Sequence, residues 1–359
     1  MKKTLDLIIG ARPNFIKVVK LNRILRKDFN VRLVHTGQHY SREMSDIFFE
    51  DLSIPEPEYF LGVKSGTHAY QTSRIMIEYE KLLFKKTPDL CIVFGDVNST
   101  MAATLSAKKL YIKVAHVEAG LRSFDKNMPE EINRVVTDSL SDFLFAPSID
   151  AVENLLNEGH QKKEIFLVGN IMIDTLVDNM DKIKKIDVEK EFSVRKGEYI
   201  YCTLHRPSNV DNRKRFVKIL EFMKRLSRTY QIVFPLHPRT QKMIENFNLK
   251  KYFTSNRIIV VKPVSYIKSI ALEMNSKFVL TDSGGIQEET TYLKIPCFTL
   301  RQNTERPITL TEGTNMLIEP EIENVETILK SSEKVKGKQI KYWDGKTSER
   351  IKKILEESL

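Results

Sequence analysis

The sequence predicts an α/β protein built from two doubly wound parallel sheets. Short apolar runs rich in β-branched residues alternate along the chain with longer segments whose apolar residues recur every three or four positions. Such strand–helix alternation is typical of parallel sheets with right-handed crossovers. The alternation restarts near Gly197, after a polar, lysine-rich segment with the composition of a linker. We therefore expect one domain over residues 1–178 and a second over residues 197–340.

Each predicted strand is an apolar run that ends in polar or turn-forming residues. In the first half these runs are LDLII (5–9), VRLVHTG (31–37), LCIVFGD (90–96), VAHVEAG (114–120), FLFAPS (143–148) and IFLVGN (165–170). In the second half they are YIYCTLH (199–205), QIVFPLH (231–237), RIIVVKP (257–263), FVLTDSGG (278–285), CFTLR (297–301) and NMLIEP (315–320).

The segments between the strands have helical spacing, as in MAATLSAKKL (101–110) and RFVKILEFMKRLSR (215–228). The last segment, residues 347–359, has an apolar helical face formed by Ile351, Ile354, Leu355 and Leu359. Because an apolar face must be buried, we expect this helix to return to the first domain.

The composition argues against several classes of protein. With 41% hydrophobic and 29% charged residues, the 359-residue chain is expected to be globular. No apolar stretch approaches the ~20 residues that span a membrane. The net charge of +10 comes from dispersed lysines without interleaved aromatic residues, which predicts no nucleic-acid partner. Cys91, Cys202 and Cys297 show no paired spacing, so we expect free, buried thiols in a cytoplasmic protein.

Polar residues crowd at the carboxyl ends of the predicted strands, where open parallel sheets bind ligands. These residues are Arg12, Gln38 with His39, Asp96, Glu118, His205 with Arg206, His237 with Arg239, Asp282 and Arg301. Each alone is explained equally well as a cap or turn residue, and Asp96 in particular is an acceptable helix N-cap. Together they predict a cleft lined by both sheets.

The stretch GARPNFIK (10–17) predicts a strand, a sharp corner and a helix that begins near Pro13. Arg12 then lies at the start of the helix and Lys17 about one turn inside. Two cations beside unpaired helix N–H groups suit an anion, whereas the alternative is a solvated turn with incidental basic residues.

The stretch TDSGGIQEE (281–289) predicts a phosphate cradle. Ser283, Gly284 and Gly285 stand at the start of a helix whose free N–H groups can bind phosphate. Glu288 or Glu289, one turn later, can accept hydrogen bonds from a ribose diol. The alternative is a capped helix with an acidic first turn. The stretch matches neither Walker A nor GxGxxG, so no motif supports ATP or NAD.

A third group consists of the carboxylates Asp96, Glu118 and Glu130 or Glu131, with Arg134 one turn further. Glu118 follows an apolar strand directly, and an acid so close to a sheet core suits proton transfer. Glu130 and Glu131 follow Pro129 in a predicted helix, so stabilisation of that helix end explains them equally well. Metal binding has no support, because neither HxH nor HExxH occurs and the seven histidines are scattered.

Eight motifs together resemble one known family. GARPNFIK, TGQH, GDVNST, HVEAGLRS, MPEEINR, TLHRP, LTDSGGIQEE and TERP occur in the order typical of non-hydrolysing UDP-N-acetylglucosamine 2-epimerases, between residue 5 and about residue 318. The resemblance implies a GT-B-like fold with two Rossmann-like domains facing a cleft. It also implies inversion at C2 of the sugar by elimination and re-addition of UDP through a glycal, with no NAD or metal.

The resemblance also implies roles for single residues. Arg12 and Lys17 match cations near the diphosphate and sugar, and His205 matches a histidine near the diphosphate. The matching acid–base and positioning carboxylates are Asp96, Glu118 and Glu130. Ser283, Gly284 and Gly285 match the phosphate cradle, Glu289 the ribose contact and Arg306 a further UDP contact. Arg134 is assigned to the substrate site with them.

We expect a homodimer that supplies UDP-N-acetylmannosamine for surface polysaccharide synthesis. Several alternatives stay open. The longer form TGQHYSREM and the stretch LRSF also occur in relatives that act on UDP-diacetamido sugars, including a uronic acid. A hydrolysing epimerase would release free N-acetylmannosamine. A glycosyltransferase or an inactive binding module are further readings, against which the motifs and the full carboxylate set argue.

Overall fold

The structure, a computed structural model, describes residues 2–38, 52, 54–333 and 335–359, with the backbone but not the side chain of Arg12. It divides into two units. The first comprises residues 1–178 and 341–359, and the second comprises residues 179–340.

Within the described residues, the first unit has a seven-stranded parallel sheet with the order β3-β2-β1-β4-β5-β6-β7. Its strands are β1 (Thr4–Ile9), β2 (Asn30–His35), β3 (Tyr59–Phe60), β4 (Leu90–Phe94), β5 (Lys113–Val117), β6 (Phe143–Ala146) and β7 (Ile165–Leu167). Its helices are α1 (Arg12–Leu25), α2 (His68–Lys85), α3 (Asn98–Lys109), α4 (Pro129–Leu140), α5 (Ile149–Asn157) and α6 (Ile171–Asp178), with a 3₁₀ turn at Lys162–Glu164.

The second unit has a described sheet of six parallel strands with the order β10-β9-β8-β11-β12-β13. Its strands are β8 (Tyr199–Thr203), β9 (Gln231–Pro235), β10 (Ile258–Val261), β11 (Phe278–Thr281), β12 (Cys297–Thr299) and β13 (Asn315–Leu317). Its helices are α7 (Met180–Lys184), α8 (Val188–Phe192), α9 (Pro207–Val210), α10 (Arg213–Leu226), α11 (Pro238–Asn246), α12 (Tyr266–Met274), α13 (Gly284–Leu293), α14 (Ile308–Thr311) and α15 (Asn324–Ser331), with a 3₁₀ turn at Lys250–Phe253.

In both sheets the strand order reverses beside the first strand of the unit, between β1 and β4 and between β8 and β11, as in other doubly wound sheets. The register is parallel, since Leu5 in β1 lies opposite Val31 in β2 on one side and Leu90 in β4 on the other. Central strands such as β4 are buried along their whole length, which explains why they read as continuous apolar runs. All twelve runs predicted as strands form strands.

The last helix, α16 (Thr347–Ser358), belongs to the first unit although it follows the second unit in the chain. Ile351 and Leu355 are fully buried on its apolar face. The buried carboxylate of Asp174 in α6 accepts hydrogen bonds from the N–H groups of Thr347 at 2.9 Å and Ser348 at 2.6 Å. The first turn of α16 is therefore capped by a side chain from α6.

The structure differs from the sequence prediction in two places. The short strand β3 has only two residues and no apolar run to reveal it. The lysine-rich segment after residue 178 contains α7 and α8, which bury Ile183, Val188 and Phe192 in the second unit. The many exposed lysines give this segment the composition of a linker, so its few buried apolar residues were not recognised in the sequence. Cys91, Cys202 and Cys297 are buried and free. None of the described helices has the length and apolar character that crossing a membrane requires.

Candidate active site

The corner between β1 and α1 is organised by Asn14. Helix α1 begins at Arg12, with Pro13 in its first turn. The Asn14 side-chain oxygen accepts from the N–H groups of Gly10 and Ala11, each at 3.1 Å, and its Nδ2 donates to the Phe94 carbonyl oxygen at 3.1 Å. Asn14 therefore ties this corner to the end of β4.

One turn into α1, Lys17 forms a buried ion pair with Glu118. Its Nζ lies 2.5 Å from Glu118 Oε2, and both side chains are at least nine-tenths buried. The other carboxylate oxygen, Oε1, is also buried and has no hydrogen-bond partner among the described residues. A buried carboxylate oxygen without a donor is costly unless a ligand uses it. Glu118 thus presents one oxygen held by a cation and one available to a reacting group.

Backbone geometry supports this pair. Glu118 follows β5 directly and has a φ of +75°, a left-handed conformation that is rare for a residue with a side chain. Gly95, which follows β4, has a φ of +63°. A Cβ atom at Gly95 would lie 2.7 Å from Lys17 Nζ and 3.4 Å from Glu118 Oε2. Only glycine leaves room for the ion pair there. Non-glycine residues with a strained backbone, such as Glu118, often lie at functional sites.

The second carboxylate, Asp96, is paired with Arg134, whose Nη1 contacts Asp96 Oδ2. The Arg134 guanidinium is buried and also binds Glu131, with Nη2 2.6 Å and Nε 3.0 Å from Glu131 Oε2. Glu131 in turn accepts from the N–H groups of Ser123 at 2.9 Å and Phe124 at 2.8 Å. Burial alone would raise the pKa of Glu131, but these N–H groups and Arg134 hold it below its usual value.

The neighbouring acids Glu130 and Glu131 therefore differ. Glu131 organises the loop that leads into α4. Glu130 is half-buried in the first turn of α4, and its carboxylate has no hydrogen bond or ion pair with any residue that the structure describes. Sequence reasoning left the choice between these two acids to the family resemblance. The distinguishing signal is a free carboxylate, which only the structure reveals.

In the second unit, His205 is held by Asp282. His205 Nδ1 lies 3.0 Å from Asp282 Oδ1, and the ring is partly exposed. The fully buried Asp282 also accepts from the N–H groups of His205 at 3.1 Å and Arg206 at 3.0 Å, and from Asn209 Nδ2 at 3.2 Å. Burial raises the pKa of Asp282, yet His205 and these donors lower it overall. Asp282 therefore fixes the orientation of the partly exposed His205 ring.

The glycine motif lies at the start of α13, where Ser283 is the N-cap residue. The helix N-terminus leaves backbone N–H groups free for an anion. A Cβ atom at Gly284 would lie 2.7 Å from Arg306 Nη1 and 2.8 Å from Glu305 Oε1. Gly284 therefore allows Arg306 to approach the turn that carries Ser283 and Gly285 closely.

Glu305 forms ion pairs with three guanidinium groups beside this turn. Its carboxylate contacts Arg306 Nη1 at 2.5 Å, Arg301 Nη2 at 2.7 Å and Arg206 Nη2 at 3.6 Å. Burial raises the pKa of Glu305, but the arginines lower it far below its usual value. Arg301 Nη1 is buried without a hydrogen-bond partner among the described residues. The three guanidiniums outnumber the two carboxylates that pair with them, Glu305 and Glu288, and this excess of positive groups fits a diphosphate.

Glu289 lies one turn further along α13 and is buried. Burial and the nearby charge of Glu288 raise the pKa of Glu289 to about 8, against the opposing effects of Tyr266 and Arg306. Glu288 is occupied by Arg306, whose Nε lies 2.9 Å from Glu288 Oε2. The sequence analysis named both acids as candidates for the ribose diol. Glu288 forms an ion pair with an arginine and Glu289 does not, so Glu289 is the better candidate.

The structure thus joins the predicted residues into two clusters, one in each unit. The first contains Lys17 with Glu118 and Asp96 with Arg134, and the second contains His205, Ser283, Gly284, Gly285, Glu289 and Arg306. His39 and the side chain of Arg12 lie outside the described residues. The sequence analysis did not predict that Asn14 holds the corner before α1 or that Glu305 pairs with three arginines. Asn14 binds backbone groups, and one partner of Glu305, Arg206, is distant in the chain. In the described part of the chain, no group of three or more His, Cys, Asp or Glu side chains is arranged to hold a metal ion.

Comparison with known proteins assigns the chain to a family. A family model described as UDP-N-acetylglucosamine 2-epimerase matches residues 23–356. The chain belongs to that family. It is 45% identical to the UDP-N-acetylglucosamine 2-epimerase of Methanocaldococcus jannaschii, over 98% of either chain. It is 40% identical to a UDP-2,3-diacetamido-2,3-dideoxy-D-glucuronate 2-epimerase of Pseudomonas aeruginosa, over 97% of this chain and 98% of that one.

The fold agrees with membership of the UDP-N-acetylglucosamine 2-epimerase family. The crystal structure of the M. jannaschii epimerase in complex with UDP-GlcNAc and UDP matches with a TM-score of 0.92 at 44% identity, covering 99% of this chain and 100% of that one. The predicted fold class, two Rossmann-like α/β domains of the GT-B-like type, is confirmed, as is the family that the motifs indicated.

Proposed function

We propose that the protein inverts C2 of UDP-N-acetylglucosamine to give UDP-N-acetylmannosamine. The observation that carries the proposal is the Glu118 carboxylate, with one oxygen bound to Lys17 and the other buried without a partner among the described residues. A carboxylate held in this way suits proton transfer at a carbon atom. Membership of the epimerase family supports the same reaction.

The reaction needs two proton transfers at C2. In the first half, a carboxylate takes the C2 proton, the C1–C2 double bond of a glycal forms, and the C1–O bond to UDP breaks with its electron pair leaving on UDP. In the second half, UDP adds back to C1 and a proton reaches C2 from the opposite face. We assign these transfers to Asp96, Glu118 and Glu130 jointly. Lys17 and Arg134 orient Glu118 and Asp96.

We assign the UDP part of the substrate to the cluster in the second unit. The free N–H groups at Ser283, Gly284 and Gly285, together with Arg306, suit the diphosphate. His205, held in place by Asp282, suits the negative charge that develops on departing UDP. Glu289 suits the ribose hydroxyls. Arg12 is assigned to the diphosphate by its place at the start of α1.

The decisive experiment is to incubate the protein with UDP-N-acetylglucosamine in D2O and identify the products by NMR. We expect UDP-N-acetylmannosamine with deuterium at C2, because the acid that delivers the second proton exchanges with water. Product with only protium at C2 contradicts the elimination. Free N-acetylmannosamine would identify a hydrolysing enzyme, transfer to an acceptor would identify a glycosyltransferase, and UDP binding without turnover would identify a binding module.

A second candidate substrate is a UDP-2,3-diacetamido sugar or its uronic acid. The relative from P. aeruginosa, 40% identical over 97% of this chain, is named for such a substrate. Measuring kcat/KM for both sugars with one preparation distinguishes the candidates. A ratio above about tenfold in favour of UDP-N-acetylglucosamine corresponds to about 1.4 kcal/mol of discrimination and supports the first.

We further propose that the two units are the functional domains and that the protein works as a homodimer in the cytoplasm, in the synthesis of surface polysaccharide precursors. Its free, buried thiols suit a reducing compartment. Sedimentation equilibrium tests the dimer, because a dimer has twice the 41.7 kDa mass of the chain.

A further inference from the structure

A buried histidine beneath the carboxylates is unused by the mechanism above. His116 lies in β5, two residues before Glu118, and is fully buried. Its Nδ1 lies 2.6 Å from Asp138 Oδ1 in α4, and its Nε2 lies 2.8 Å from the carbonyl oxygen of Gly95. Both ring nitrogens therefore face oxygen atoms.

The partners decide where the ring protons are. The Gly95 carbonyl can only accept, so His116 Nε2 carries a proton and donates it. Asp138 accepts another hydrogen bond, from Gly120 N–H at 3.0 Å, and forms an ion pair with Arg122, whose Nη2 lies 2.7 Å from Asp138 Oδ2. Burial raises the pKa of Asp138, but His116 and Arg122 hold it below its usual value. His116 Nδ1 therefore links the ring to Asp138, and Nε2 links it to the turn at Gly95.

The two ends of this network lie in the turns that carry the catalytic carboxylates. Gly95 immediately precedes Asp96 and has a φ of +63°. Gly120 comes two residues after Glu118, which itself has a φ of +75°. His116 contacts the first turn directly and reaches the second through Asp138. The left-handed backbone at Glu118 rarely persists without tertiary restraint.

We propose that His116 is a positioning residue for the epimerase reaction: its ring joins the turn after β4 to the turn after β5 and so sets the placement of Asp96 and Glu118. This inference rests on the proposed function. A side chain that bonds to only one of the two oxygens releases one turn. Catalytic groups displaced by about 1 Å lose about 100-fold in rate.

The alternative is a core histidine that contributes only to stability. Measuring kcat and the Kd for UDP in the same variant distinguishes the two roles. We expect His116→Gln to lower kcat by about 10- to 100-fold while the Kd for UDP stays within about twofold, since UDP is assigned to the second unit. A kcat within twofold of the wild-type value would overturn the proposal.

The matched control is Tyr79→Phe. This variant removes another buried hydrogen bond of the first unit, from the Tyr79 hydroxyl to Asp6 Oδ2 at 2.9 Å, which touches neither turn. We expect Tyr79→Phe to lower the melting temperature while kcat stays near the wild-type value. If Tyr79→Phe loses as much turnover as His116→Gln, the loss reflects general destabilisation and the proposal fails.

A second measurement needs no substrate. We expect amide hydrogen exchange at Gly95, Glu118 and Gly120 to be faster in His116→Gln than in the wild-type protein and unchanged in Tyr79→Phe, and exchange at the wild-type rate in His116→Gln would refute the proposal. This measurement also distinguishes the two proposals. If the wild-type protein turns over no UDP-sugar, the proposed function fails and the coupling of the two turns is still tested. If the wild-type protein is active and His116→Gln equals it, only the role of His116 fails.

Discussion

The Lys17–Glu118 pair is the most informative feature at the scale of single residues. Burying an ion pair costs desolvation energy that the attraction between the charges often does not recover. The pair also leaves Glu118 Oε1 without a partner among the described residues, and it requires a left-handed backbone at Glu118. These features lower stability, and their combination at the end of a parallel strand is understandable if the carboxylate is needed for chemistry.

Replacing Glu118 by glutamine tests this reasoning. Glu118→Gln keeps the shape of the side chain but removes the base, so we expect kcat to fall by about 100-fold or more. The Kd for UDP, measured by calorimetry, should change little. The control is Glu153→Gln, an exposed acid on α5, which should behave like the wild-type protein. Near-normal turnover by Glu118→Gln would show that Glu118 transfers no proton.

Arg306 offers a second test, at the anion cluster. Arg306→Ala removes a guanidinium beside the N-terminus of α13, and we expect it to weaken UDP binding by about tenfold or more. UDP should raise the melting temperature of the wild-type protein and raise that of the variant less. Arg225→Ala, an exposed arginine in the last turn of α10, is the control. Unchanged UDP affinity in both Arg306→Ala and Arg12→Ala would refute the assigned diphosphate site.

Strand ends and helix starts determine most of the site at the scale of elements. Proline stands in the first turn of α1, α4, α9 and α11, each of which follows a strand or its connecting loop. Proline at this position costs no hydrogen bond and directs the chain into a helix. The corners so formed present Lys17, Glu130 and His205 beyond the carboxyl ends of strands. Helix α13 begins instead with Ser283 and two glycines, which leave its N–H groups accessible.

Asp174 in α6 helps to attach α16 to the first unit, because its carboxylate caps the first turn of α16. Asp174→Ala removes the acceptor for two N–H groups at the start of α16, and we expect a loss of about 1–3 kcal/mol in the free energy of unfolding. Amide hydrogen exchange should accelerate most within Thr347–Ser358. Glu80→Ala, at an exposed acid on α2, provides the comparison. Uniform acceleration over the first unit would show that Asp174 stabilises the unit generally instead of docking α16.

At the scale of the whole molecule, each parallel sheet carries its own group of candidate site residues. The first unit carries carboxylates paired with cations, Glu118 with Lys17 and Asp96 with Arg134. The second unit carries His205, the arginines around Glu305 and the N-terminus of α13.

We predict that catalysis needs no added metal. The charge of a diphosphate can be offset by side-chain cations, and Arg306, Arg301 and Arg206 are gathered around Glu305 for that role. Dialysis against EDTA should leave kcat within about twofold of its starting value, as measured by NMR of the products. Loss of activity on chelation and its return with a divalent ion would show that a metal takes part.

Much of the fold could be predicted from the sequence. Strands buried on both faces of a parallel sheet read as apolar runs, so all twelve predicted runs form strands. Helices with one buried face show the three- and four-residue spacing. The motif residues could be located too, because the ligands of parallel sheets lie beyond strand ends and those positions follow from the runs. Glu118, His205 and Ser283 were chosen as candidates in this way, and their roles stay predictions.

Only the tertiary structure decided how these residues are paired. Lys17 and Glu118 are 101 positions apart, and they meet because β1, β4 and β5 are neighbours in the sheet. The pairing of Arg134 with Asp96, the contacts of His116 and the grouping of arginines around Glu305 likewise depend on distant partners. Local patterns report burial and backbone preference. Pairing depends on the order of strands and on the space around each side chain, which no local pattern contains.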